Sequence, residues 1–244
     1  MTRPPRCIPA ESYGRDASVR PAQSEEADLL ERVLPGFVAW AETTEDHPDF
    51  VLSDAELRSL GRAVDRRRRE FTAGRACARR ALQRLGAPPA PVPGGRDGEP
   101  LWPSGVVGSI THCEGFRACA VAYADAAIAL GIDAEPNLAL PDGLLQDIAY
   151  GDERKLAAAA PPAAPGSPAV DLPRLLFSAK EAAYKAWFPL AGRRLGFDEV
   201  TVAIDLERGE FWAEVLVPGP LTVLDGRWAV QDGIIATAVV VEHS

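Results

Sequence analysis

Two acids one residue apart, at the end of an apolar run, are the first feature of this chain that could do chemistry. The strand-like run Ala127 to Ile132 leads straight into Asp133-Ala134-Glu135. Residues two apart in an extended chain point to the same side, so Asp133 and Glu135 would converge at the end of the strand. Neighbouring carboxylates repel unless a proton or cation sits between them. A hard, oxygen-seeking ion such as Mg²⁺ suits that arrangement, usually together with substrate phosphates. Taken alone, the tripeptide reads more readily as two solvated acids in a turn closed by Pro136.

A third acid lies well downstream, in Phe177-Ser178-Ala179-Lys180-Glu181-Ala182-Ala183-Tyr184-Lys185-Ala186-Trp187. The spacing is helical, and Glu181 and Lys185, four apart, share a face. Such a pair is very often a plain surface ion pair. It would also serve as a further metal carboxylate with a lysine one turn away, ready for phosphate oxygens or a leaving group. Upstream, Gly108-Ser109-Ile110-Thr111-His112-Cys113 joins a strand end to small hydroxyls and one of only three histidines. A lone histidine is more often structural; as a functional group His112 would donate a hydrogen bond to a phosphate and would not bind metal. Arginines cluster at Arg66-Arg67-Arg68-Arg69, Arg75 and Arg79-Arg80. A basic run on a helix is usually a solvated face, but guanidinium forks also match phosphate oxygens and their flat faces stack on adenine.

The elements that must position these residues mix helices with antiparallel strands. Phe37 to Ala41 reads as a short buried strand. Ser53-Asp54-Ala55-Glu56 has the capping-box pattern that opens a helix. A second helix is expected from Asp65 to Leu85, its stripe supplied by Phe71, Cys77, Ala78, Ala81, Leu82 and Leu85, with Gly86 as its stop. Pro91 to Pro103 is turn-rich. Val106 to Ile110, Ala118 to Tyr123 and Ala127 to Ile132 read as strands, and Pro141 to Tyr150 and Asp152 to Ala159 as helices. Ala160 to Val170 is an Ala/Pro segment that cannot form a regular helix. A helix from Leu175 to Phe188 precedes four strands: Val200 to Ile204, Phe211 to Val217, Trp228 to Gln231 and Ile234 to Val241. Residues 1 to 26, polar and without an apolar period, read as a disordered leader. The rest divides into an N-terminal half, 27 to 125, and a C-terminal half, 126 to 244, that carries the acids.

Composition bounds the partners. The 244 residues suffice for one large domain or two small ones, and 47% hydrophobic with 25% charged residues is ordinary for a globular protein. A net charge of −9 opposes non-specific binding to nucleic acid or to an anionic membrane, without excluding a local basic pocket. Cys7, Cys77, Cys113 and Cys119 show no metal-like spacing and are expected to be idle thiols in a reducing compartment. No apolar run reaches the length of a membrane span, and Met1 to Pro9 lacks the core of a signal peptide, so a cytoplasmic location is expected.

In this order, GRxCARxAL, GSxTHC, GIDxE and FSAKEAxYKxW resemble the Sfp-type 4'-phosphopantetheinyl transferases, in the branch that contains the enterobactin synthetase component D enzymes. The resemblance covers roughly residues 60 to 190. It implies an α+β fold of two pseudo-symmetric α/β halves, each an antiparallel sheet packed with helices, with coenzyme A in the cleft between them. It implies Mg²⁺-dependent transfer of 4'-phosphopantetheine from coenzyme A to a serine of an acyl or peptidyl carrier protein, with release of 3',5'-ADP, by a monomer. Carried over by position, the metal acids are Asp133, Glu135 and Glu181. Lys185 matches the lysine that contacts the coenzyme A phosphates and protonates the leaving group, and Lys180 the lysine before the metal glutamate, a cofactor contact. His112 matches a pyrophosphate-binding histidine, with Thr111 lining the nucleotide site beside it. Arg67 and Arg75 match residues that hold the 3'-phosphate and adenine, and Arg96 is a further phosphate contact. Glu181 or a metal-bound water would take the serine proton. The chain departs from other branches at Phe177, where tryptophan occurs, and at Ala134, where larger aliphatics are frequent. The segment Ala160 to Val170 matches none of the motifs that carry the resemblance.

Overall fold

The computed structural model describes residues 28–47, 49–158 and 169–243. The expected leader and most of the Ala/Pro segment therefore lie outside the described residues.

Local sequence sets the helix ends. Helix α1 (Asp54–Leu60) begins with the expected box: Ser53 Oγ accepts from the Glu56 amide at 3.3 Å, and Glu56 Oε2 accepts from the Ser53 amide at 2.7 Å. Helix α2 (Asp65–Leu85) has the predicted bounds and stops at Gly86, whose φ of +81° suits a residue without Cβ. Helix α5 (Leu172–Ala191) is capped by Asp171, whose side chain accepts from the Arg174 amide at 2.9 Å. It runs about a turn further at its N-terminus than the sequence predicts. Helices α3 (Leu144–Ile148) and α4 (Glu153–Ala158) are short. The turn around Pro141 to Gly143, with Gly143 at φ +87°, delays the start of α3.

The strands form two antiparallel sheets. The first takes β1 (Ala39–Thr43), β2 (Val106–Cys113) and β3 (Phe116–Tyr123) in the order β1-β3-β2. The second takes β4 (Ala127–Pro136), β5 (Val200–Asp205), β6 (Glu210–Val215), β7 (Val223–Gln231) and β8 (Ile234–Glu242) in the order β4-β8-β7-β6-β5. The path β1-α2-β2-β3 repeats as β4-α5-β7-β8. In both, the first strand pairs with the last, and the last with its hairpin partner. The second sheet is extended by the β5–β6 hairpin. The expected α+β fold of two similar halves is the fold observed.

Each helix covers the outer face of its sheet. Cys77, Ala78, Ala81 and Leu82 of α2 pack on Ala41, Cys119 and Val121. Ala179, Ala182, Ala183 and Trp187 of α5 pack with Phe211, Ala213 and Val239. The inner faces share one core, in which Ala118 and Ala120 of β3 meet Ile132 and Ala134 of β4 and Ala236 and Ala238 of β8. Alanine on so many facing positions lets the two sheets approach closely, and burial of these apolar faces is the main stabilising term. No helix among the described residues is long and apolar enough to cross a membrane.

Candidate active site between the two sheets

The halves meet along their edge strands, β2 and β4. Ser109 Oγ accepts from the Ile132 amide at 3.1 Å, and Thr111 Oγ1 accepts from the Ala134 amide at 3.0 Å. Hydroxyls of one half thus satisfy backbone donors on the open edge of the other, which a buried edge requires. Strand β4 does not end at Ile132, as its apolar run predicts, but continues through both acids. Asp133 pairs with Thr237 and Glu135 with Ile235 of β8. The acids are therefore held in rigid strand, not in a turn.

Alternation puts Gly131, Asp133 and Glu135 on the face of β4 that meets α5. A Cβ at Gly131 would collide with the Ala182 carbonyl, so only glycine lets the helix cross the strand this closely. The crossing brings Glu181 and Lys185 beside the acid pair. Lys185 Nζ donates to Asp133 Oδ1 at 2.6 Å, to the Ile132 carbonyl at 3.1 Å and to Thr111 Oγ1 at 3.5 Å. The Thr111 hydroxyl itself donates to Asp133 Oδ1 at 3.1 Å. Asp133 Oδ2 is buried without a hydrogen-bond partner. Glu135 Oε2 accepts from Arg174 Nη1 at 2.8 Å, and Arg174 also holds the carbonyls of Leu138 and Ala139 at 3.0 and 2.8 Å.

The three carboxylates share one field. Burial and the charge of Asp133 hold the Glu181 carboxyl above the usual range, against the pull of Lys185. Burial, again with Asp133, does the same to Glu135 despite Arg174 and Lys185. Two cations thus leave three clustered acids under-compensated. An oxygen-only donor set with one buried, unpartnered oxygen fits a hard divalent cation. In their present rotamers the acids do not converge on one point: among the described residues no three His, Cys, Asp or Glu side chains form a ready ligand set. Lys185 and Arg174 occupy the oxygens that would have to turn inward.

His112 lies on the opposite face of β2 from Thr111, towards α2. Its Nε2 is 3.1 Å from Arg67 Nη1, and its Nδ1 is 4.0 Å from Glu70 Oε2. Burial pushes the imidazole below its ordinary pKa; Arg67 and Lys185 add to this, while Glu70 and Asp133 oppose it. Next to Lys185 opens a cleft of about 720 Å³, with Trp102, Gly108, Ile110, Tyr184 and Phe188 among its walls. Its size and mostly apolar lining suit a small-molecule ligand with a charged end.

The fold therefore gathers Asp133, Glu135, Glu181, Lys185 and Thr111, and sets His112 with Arg67 at the α2 side. Three predicted contacts stand elsewhere. Lys180 is turned away from the acids, and its Nζ donates to the Ile148 carbonyl at 2.8 Å, Glu153 Oε2 at 2.8 Å and the Phe197 carbonyl at 2.9 Å. Adjacent helix residues diverge by about 100°, so a neighbour of Glu181 cannot share its direction. All three of its protons are taken inside the protein, on the side of α5 away from the acids. Arg75 is buried, with its Nε on the Val92 carbonyl at 2.6 Å and its guanidinium 3.9 Å above the Phe71 ring; burial lowers its pKa to about 10. Arg96 is exposed in the turn that leads into the cleft-lining loop. Sequence reasoning missed Arg174 and Glu70. Arg174, Ser178, Glu181 and Lys185 follow a helical stripe of 4, 3 and 4 residues, and extending the functional face back one turn from Ser178 would have found Arg174.

Paired α/β halves with an acid-and-lysine cluster at their junction describe the fold and the site, and comparison with known proteins specifies the family. Residues 55–122 match the 4'-phosphopantetheinyl transferase N-terminal domain, and residues 129–218 match the 4'-phosphopantetheinyl transferase superfamily. The chain is 46% identical over 222 residues to the 4'-phosphopantetheinyl transferase Svp of Streptomyces mobaraensis, covering 87% of this chain and 89% of the relative. It is 43% identical over 225 residues to the 4'-phosphopantetheinyl transferase Npt of Nocardia iowensis, covering 86% and 99%. Enterobactin synthase component D of Salmonella typhi is 35% identical over 134 residues, covering 54% and 51%. The chain belongs to the 4'-phosphopantetheinyl transferase family. Its activity is transfer of 4'-phosphopantetheine to carrier proteins.

Proposed function

We propose that coenzyme A lies in the cleft between the sheets with its diphosphate against Asp133, Glu135 and Glu181, and that these acids hold Mg²⁺ there. The observation that carries this reading is the buried, unpartnered Asp133 Oδ2, beside Glu181 and paired with Lys185, which itself lines the cleft. When bound, the ion neutralises the acids and polarises the diphosphate. The carrier serine attacks the β-phosphorus, a new P–O bond forms, and the P–O bond to 3',5'-ADP breaks. The serine proton goes to the Glu181 carboxylate, which stands beside Asp133 and one helical turn from Lys185. Lys185 turns from Asp133 to the leaving phosphate and gives it a proton or a hydrogen bond, and Thr111 stays as the tie between Asp133 and the first half. Arg67 and His112 face the outer phosphates, Arg75 braces the Val92 loop beneath the adenine, and Arg96 reaches over from the exposed turn. The chain acts as a monomer on acyl or peptidyl carrier domains, and positioning and charge neutralisation supply most of the rate.

Incubation with coenzyme A, Mg²⁺ and a panel of apo carrier proteins, read by intact mass, tests the reading. The carrier should gain a phosphopantetheine mass, and a chelator should abolish the gain. Glu181→Gln should lower turnover about 10³-fold, the scale of a lost charge-stabilising group, with an unchanged unfolding temperature. Normal turnover of that variant, or of the chelated enzyme, overturns the assignment.

A further inference from the structure

Arg67 and Glu70 flank the two ring nitrogens of His112. A guanidinium has no acceptor and is always charged, so the 3.1 Å contact from Arg67 Nη1 requires a lone pair on Nε2. The neutral ring then carries its proton on Nδ1, the nitrogen that faces Glu70 Oε2 at 4.0 Å. Glu70 is built for that place. It is half-buried, Arg66 Nε holds its Oε1 at 2.9 Å, and Arg66, His112 and Arg67 outweigh burial to keep its carboxylate below the usual range. The groups facing the imidazole are Glu70 and Arg67 from α2, Lys185 from α5 and Asp133 from β4. Of the two acids, Glu70 is the one that comes within 4.0 Å of a ring nitrogen, close enough for its charge to act on the ring but beyond hydrogen-bond distance.

We infer that Glu70 is a positioning residue for His112: its carboxylate keeps the ring proton on Nδ1 and leaves Nε2 directed, beside Arg67, at an incoming phosphate of coenzyme A. This rests on the reading of His112 as a phosphate contact and deepens it. In the free enzyme Nε2 accepts from Arg67. When a phosphate arrives, Arg67 transfers its donor to a phosphate oxygen and Nε2 takes up a proton from solvent. The imidazolium then donates from Nε2 to the phosphate, and Glu70 closes its 4.0 Å gap to accept from Nδ1. A carboxylate on the distal nitrogen favours this charged form, as it does for other paired imidazoles. The arrangement keeps His112 neutral until its anionic ligand is present.

The test uses the full-length enzyme with Glu70→Gln, which keeps the shape and removes the charge. Nitrogen NMR of the three histidines should show His112 as the Nδ1–H form in the wild type and as a mixture of both forms in the variant. KM for coenzyme A should rise about tenfold, with kcat changed less than about twofold, the signature of lost ground-state binding. Glu70→Asp should restore part of the loss. In a His112→Ala background, Glu70→Gln should change KM less than about twofold, because coupled residues are not additive. An unaltered His112 signal together with an unaltered KM overturns the inference. So does an equal KM rise in the His112→Ala background, since Glu70 would then act through Arg66 alone. If His112→Ala itself leaves KM unchanged, the phosphate-contact reading fails first, an outcome distinct from either.

Discussion

Helix α5 carries two lysines five residues apart, and each is paired with a carboxylate in nearly the same geometry. Lys180 lies 2.8 Å from Glu153, and Lys185 lies 2.6 Å from Asp133. Their surroundings separate them. The Lys180 side chain is 0% exposed and Glu153 is 5% exposed, and every proton and oxygen of that pair is occupied. Glu153 also takes the Tyr150 and Val202 amides at 2.8 and 2.7 Å, so the pair pins α4, α5 and β5 together. The Lys185 side chain is 24% exposed, it borders the cleft, and its partner keeps an oxygen empty. A satisfied buried ion pair is a structural pin, and one with an open valence is a site. The distance between charges does not tell the two apart; the remaining lone pairs and the route to solvent do.

The largest effect should come from cutting the pin. Lys180→Met leaves the Glu153 carboxylate buried with backbone donors only. It should cost about 3–5 kcal/mol, or roughly 10 °C in Tm, while the fraction that stays folded keeps its turnover within about threefold. Thermal unfolding and specific activity at low temperature read the two separately. Lys185→Met should reverse the pattern. The Lys185 side chain is 24% exposed where that of Lys180 is 0%, so the loss of stability should be smaller than for Lys180→Met, whereas turnover should fall about 10²-fold if Lys185 serves the leaving phosphate as proposed. Removing that charge from among three acids should also make the Mg²⁺-induced rise in Tm larger than in the wild type. The comparison breaks if Lys185→Met unfolds as readily as Lys180→Met, or if Lys180→Met abolishes activity without loss of stability.

The same contrast explains what was legible in the sequence. Helix α2 and the capping box of α1 could be read to the residue because their signals are local: Gly86 after the apolar stripe, and Ser53 with Glu56. That the three acids and Lys185 come together could be expected from their motifs. Their fine geometry could not, because it depends on distant strands. The reading of β4 as ending at Ile132 failed because pairing with β8 carries the chain through two residues of low strand propensity, a tertiary override. Lys180 faces away from the acids although it adjoins Glu181, because adjacency in sequence is not direction in space. Glu153, which decides the direction of Lys180, lies 27 residues upstream in a short helix. Arg174 and Glu70 carry no motif of their own and become visible only when Glu135 and His112 are given neighbours.

The smallest of these effects should arise at Thr111, whose hydroxyl joins the open pair to the other half of the molecule. It accepts from the Ala134 amide at 3.0 Å and donates to Asp133 at 3.1 Å, while the Lys180 pair has no link across to the first sheet among the described residues. Thr111→Val keeps the shape and leaves the buried Ala134 N–H without an acceptor, at a cost of about 1–2 kcal/mol. It also frees Asp133 to rotate, so activity should fall several-fold with most of the change in the Mg²⁺ concentration needed for half-maximal rate. Thr111→Ser keeps the hydroxyl and should restore both. Denaturant unfolding and a Mg²⁺ titration of the transfer rate measure the two losses. If Thr111→Val matched the wild type in both, the junction of the halves would have to rest on Ser109 and the apolar core alone. The Asp133–Lys185 pair would then be as self-contained as the Lys180–Glu153 pair.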